Sequence, residues 1–80
     1  QGKYGVQVGA LFGADKSVRA AQRKAELKAQ EKIDVEVIPS ADGKADRLVV
    51  TGCSDRRAAE AACAELRKRP GFADAWVVAL

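Results

Sequence analysis

Two apolar segments of this chain echo each other: VQVGAL at residues 6–11 and LVVTGC at residues 48–53, each followed by a charged, alanine-rich run of helix formers. A strand and an amphipathic helix, stated twice, constrain the fold more than any other feature. Each helix must lay its apolar stripe on a sheet, and the sheet must be assembled from both copies. The first strand covers about residues 4 to 10, YGVQVGA, after which Leu11 to Ala14 lead to Asp15, a plausible N-cap. Residues 16 to about 30 are rich in Ala, Lys, Arg, Glu and Gln, and the expected buried stripe is Val18, Ala21, Ala25 and Ala29. Leu27 falls on the opposite side, with no reason visible in the pattern.

IDVEVI, residues 33 to 38, alternates with Ile33, Val35 and Val37 inward and Asp34 and Glu36 outward. PSADGKAD, residues 39 to 46, carries the turn residues of a long hairpin, Pro39 and the pair Asp42-Gly43. RLVVTGC, residues 47 to 53, is the third strand, and Ser54 or Asp55 caps a second helix running to about Arg69. Ala59, Ala62, Cys63 and Leu66 form its stripe, Pro70-Gly71 stops it, and AWVVAL, residues 75 to 80, closes the chain as a strand. The order is βαββαβ. Right-handed crossovers then give an α+β, ferredoxin-like (RNP-like) fold: a four-stranded antiparallel sheet, strand order 4-1-3-2, with two helices on one face. The other face is left open to solvent.

Eighty residues make a single domain, residues 1–80, near the lower limit for a core that folds unaided. Hydrophobic residues at 48% and charged residues at 31% argue against disorder. No apolar run is long enough to span a bilayer, so direct membrane insertion by this domain is not expected. The chain starts almost on its first strand and is expected to be the C-terminal part of a longer protein, with any secretion signal or anchor upstream. The net charge of +3 comes largely from residues on the two helices, where a charge run is a solvated face or, alternatively, a nucleic-acid footprint. With no histidine, no nucleophile–base pair and no clustered carboxylates, the sequence offers no catalytic site, no metal site and no cofactor motif. The two cysteines, Cys53 and Cys63, lack zinc-ligand spacing, and about two helical turns should separate them beyond disulfide reach, so free thiols are expected.

Strand parity locates a candidate site. With Val6 and Val8 packed under the helices, Gln7 points out of the open face. With Leu48 and Val50 inward, Arg47, Val49 and Thr51 point out. With Ala75 and Val77 inward, Trp76 and Val78 point out. A slip of one residue inverts each assignment and would make Trp76 a core residue. In the outward phase Trp76, Gln7 and Arg47 lie side by side: a flat apolar plate, an amide and a forked cation. Gly5 and Gly9 either clear the surface so that a ligand reaches the backbone, or, for Gly9, mark a bulge.

These residues resemble a known family. Y-x-V-Q-V-G-A, the alanine-rich helix after it, the second copy ending in L-x-V-x-G-x and the terminal W-V-V resemble the SPOR (sporulation-related) domain over essentially the whole chain. The second half, TGCSDRRAAEAACAELRKRPGF, is similar to SPOR domains at the C-termini of alphaproteobacterial cell-wall proteins, such as D-alanyl-D-alanine carboxypeptidases and FtsN-like division proteins. The resemblance implies a non-catalytic module of the periplasm and cell envelope. Its partner would be denuded peptidoglycan glycan strands, at the division septum, met through the open sheet face. It is expected to act as a monomer, whatever peptidase activity the parent protein has elsewhere. The implied glycan-binding residues are Gln7, Gly9, Ala10, Arg47, Val49 and Trp76. A serine common three residues after the glutamine is Ala10 here, and a frequent aromatic before the third strand falls near Ala45. Trp76 either supplies that plate from the neighbouring strand, or glycan binding is altered. Cys63 matches a cysteine that in some relatives pairs with one in the last strand, where this chain has Ala75.

Two other readings use the same topology. RNA-recognition motifs share it but stack bases on aromatics of the two central strands, where this chain offers Gln7 and Val49, so no nucleic-acid partner is expected. A regulatory or protein-interaction domain on the same fold is the other, since fold alone does not fix function.

Overall fold

The structure, a computed structural model, describes residues 3–80. Its elements are β1 (Tyr4–Phe12), α1 (Lys16–Glu26, prolonged by a π-helical turn at Leu27–Glu31), β2 (Glu36–Pro39), β3 (Ala45–Cys53), α2 (Arg56–Arg67) and β4 (Trp76–Ala79). The strands form one antiparallel sheet in the order β2-β3-β1-β4, the ferredoxin-like arrangement expected from the repeated strand and helix. Residues of both helices join Val6, Leu48 and Ala75 in one core cluster, so the helices share a face of the sheet.

The second helix follows its sequence pattern. Asp55 caps it, its carboxylate accepting from the Ala58 N–H at 2.8 Å. Ala59, Cys63 and Leu66 are buried, with Ala62 packed at the edge of the core. Gly71, at φ +88, turns the chain after Pro70 and delivers Phe72 into the core. The carbonyl of Ala75 accepts from two α2 side chains, Cys63 Sγ at 3.3 Å and Arg67 Nε at 2.8 Å. These bonds fix the chain one residue before Trp76. Both cysteines are free: Cys63 is buried and Cys53 is half-buried at the end of β3.

The first helix is turned half a revolution from expectation. Val18, Ala21, Ala25 and Ala29 are exposed, and Ala20 and Leu27 face the core. Three alanines and Val18 lose to Leu27, the largest apolar side chain of the run, with Ala20 beside it. Each alanine methyl gains little from burial, whereas enclosing a leucine side chain contributes about 1.5–3 kcal/mol. Leu27 is 1% exposed, and Ile33 and Val35 follow it into the same core. The π turn allows that continuity: the Leu27 carbonyl accepts from Ile33 N–H at 3.1 Å, and Lys32 closes the helix in the left-handed region at φ 60. Asp15 occupies the N-cap position but makes no capping bond, and its carboxylate pairs with Arg19 instead.

Candidate functional site

The β1–β3 register shifts once before the site, where β3 carries the extra residue, and once within it. Gln7 pairs with Val49, Gly9 with Leu48 and Ala10 with Arg47, so β1 spends one more residue than β3 between the first two pairs. This is a β-bulge at Val8-Gly9. Past it, the residues facing away from the helices are Ala10 and Phe12 rather than Gly9 and Leu11. Leu11 joins the core instead. A Cβ placed on Gly9 would meet only Leu48 Cδ1 at 3.5 Å, an ordinary contact on the helix side. Gly9 therefore serves the bulge and does not bare the outer backbone.

Gly5 has a different reason. A Cβ there would lie 2.6 Å from the Val50 carbonyl oxygen and 2.8 Å from Val49 Cγ1, and 3.4 Å from Leu80 Cδ1. The space beside Gly5 is filled by protein. Val49 points outward as parity requires, being the partner of Gln7, yet it is wholly buried. The outer face is thus closed at this end, a departure from the fully open surface expected.

Beyond Gln7 the face opens into a groove of about 660 Å³ lined by Gln7, Ala10, Phe12, Arg47, Trp76 and Val78, with the β2–β3 hairpin along one rim. Trp76 pairs with Gln7 and is 50% exposed, so the outward phase of β4 is the one realised. Arg47 is not in their row. Val49 takes that place, and Arg47 lies one outward step along β3, opposite Ala10. Gln7 is only 7% exposed between Val49 and Trp76 while still lining the groove floor. Among the expected residues, Gln7, Ala10, Arg47 and Trp76 share this groove. Gly9 borders a neighbouring hollow of about 240 Å³ with Gln7, Ala10 and Trp76, and Val49 lies outside both.

Phe12 escaped the sequence reading, which ended the first strand at residue 10. It is 62% exposed and sits directly across from Ala45, near which the frequent aromatic of the resembled family falls. The apolar Leu11-Phe12 pair after a glycine in the strand was the available signal: a bulge at that glycine sends the phenyl ring outward. Lys44, on the hairpin rim, was also missed.

The hairpin is stiffened by its own polar groups. The Ser40 hydroxyl donates to Asp42 Oδ1 at 2.6 Å and accepts from Ala45 N–H at 3.1 Å, while Lys44 N–H donates to Asp42 Oδ1 at 3.0 Å. The Ser40 bond, then the Lys44 bond, hold the exposed Asp42 carboxyl below its ordinary value of 3.8. Gly43, at φ +73, supplies the turn.

Among the described residues, no group of three histidines, cysteines or carboxylates could hold a metal ion, and no helix is long and apolar enough to cross a membrane. The groove can stack and hydrogen-bond a ligand. Searches of curated proteins and of solved structures returned no match to this chain. The SPOR domain family model, by contrast, matches residues 1–79. With that match running almost from end to end, over the sheet and helices just described, the chain belongs to the SPOR domain family.

Proposed function

We propose that this chain is a non-catalytic peptidoglycan-binding module that recognises denuded glycan strands. Peptidoglycan binding is in keeping with the family, whose members occur in envelope and division proteins. The observation that carries the reading is the half-exposed Trp76 beside Gln7, in one groove with Arg47 on the helix-free face. Sugar rings present C–H faces that lie flat on an indole, and amide and guanidinium groups orient them through their oxygens. A stem peptide on each muramic acid would collide with so shallow a face, which favours bare strands. Of the outer positions on the two central strands, Phe12 on β1 is aromatic, but Ala45, Arg47 and Val49 on β3 supply no second ring on which a base could stack, which favours sugar over RNA.

In this reading the domain is the C-terminal part of an envelope protein, works as a monomer in the periplasm and directs its parent to the septum. The test is co-sedimentation with purified sacculi. Trp76→Ala and Gln7→Ala should each reduce the bound fraction while circular dichroism shows the fold retained. Undiminished sedimentation of both variants would remove this groove as the site.

A further inference from the structure

Arg47 has no acidic partner among the described residues. Its neighbours across the sheet are Ala10 on β1 and Ile38 on β2, both uncharged. It takes part in none of the ion pairs among the described residues, all of which lie on the helices and their connections. Its Nε is the one side-chain nitrogen or oxygen among the described residues that is buried with no hydrogen-bond partner. The groove's carboxylate, Asp42, is occupied by the Ser40 hydroxyl and the Lys44 N–H. Glu36 faces Val49, one outward step along the sheet, and does not line the groove. Lys44 adds a second cation to the rim. A partly desolvated guanidinium with an orphaned donor is unfavourable in the free protein unless something supplies the missing acceptor.

We infer that Arg47 reads a carboxylate on the glycan: the lactyl carboxylate of muramic acid, which becomes free when the stem peptide is removed. This rests on the glycan-binding reading above and deepens it. In intact peptidoglycan that carboxyl is tied up as a neutral amide to the first amino acid. Hydrolysis of the amide does two things at once: it clears the bulk of the peptide and leaves an anion on every second sugar. Guanidinium and carboxylate match geometrically as paired N–H donors and paired oxygens, and a charged hydrogen bond to a partly buried donor outweighs a neutral one. Selectivity for denuded strands is then a positive recognition of the new charge as well as relief from a steric block.

The probes are denuded glycan oligosaccharides and the same oligosaccharides with their carboxylates converted to methylamides, which keeps the length and the sugars and removes the charge. Titration of the wild-type domain should show affinity for the free acid higher by about 10-fold to 100-fold, the range for one well-placed charged hydrogen-bonded contact. Arg47→Gln, its fold checked by circular dichroism, should bind both forms weakly and alike. Equal wild-type affinity for acid and methylamide would overturn the inference while leaving glycan binding intact. Binding of neither form would overturn the glycan reading itself. The wild-type comparison decides the matter even if Arg47→Gln does not fold.

Discussion

The two ends of the outer sheet face are built from the same strands and do opposite things. At the Gly5 end, Val49 fills the room a side chain would need, and the surface is sealed. At the Phe12 end, past the bulge, large side chains stand up around a floor of Ala10 and Ala45, and the surface is a groove. Small residues are present at both ends, so smallness alone does not predict a binding site. What differs is whether a neighbour moves into the vacated space. Val49 does so at one end; at the other, nothing does.

The largest expected effect is at the sealed end. Gly5→Ala would drive a methyl against a backbone carbonyl and Val49, and should destabilise the domain by roughly 1–3 kcal/mol, the usual range for overpacking. Chemical denaturation measures it; an unchanged midpoint would mean that the end is looser than its distances imply. The open end should respond the other way. Phe12→Ala removes an exposed ring, so stability should stay within about 0.5 kcal/mol, while on the proposed glycan-binding function affinity for glycan falls by roughly 2-fold to 10-fold, as for loss of one aromatic contact. A large loss of stability with affinity intact would reverse the contrast. The smallest effect concerns the rim. Asp42 has a lowered folded pKa, so its ionised form contributes stability that is present above the ordinary value of 3.8 and lost as pH falls through the lower folded value. Melting curves of wild type and Asp42→Asn should therefore differ above that window and converge below it. Parallel curves at every pH would show that the Ser40 and Lys44 bonds do not depend on the charge.

The repeated strand and helix were enough to read the order of elements, the strand order of the sheet and the packing of α2, because Leu66 and Cys63 mark its inner face without ambiguity. In α1 the alanines pointed the wrong way. A stripe of methyl groups carries too little free energy to decide a helix's rotation, and Leu27, which did decide it, looked like an exception. In the site, parity identified the outward residues up to Gln7. Beyond it, the bulge at Val8-Gly9 moved Ala10 and Phe12 onto the outer face, and a glycine in a strand does not say whether it bulges. The burial of Val49 was illegible for another reason. It depends on a close approach of β1 and β3 at Gly5, and pattern within one strand contains no information about the depth of the next.

The two border strands, β2 and β4, are four residues each, and β2 ends on Pro39. A second molecule aligning itself along either border would find only a few backbone groups to satisfy, and at the proline no N–H at all. Copies at high local concentration could therefore sit close together with little tendency to zip into fibrils, leaving the broad face of each uncovered.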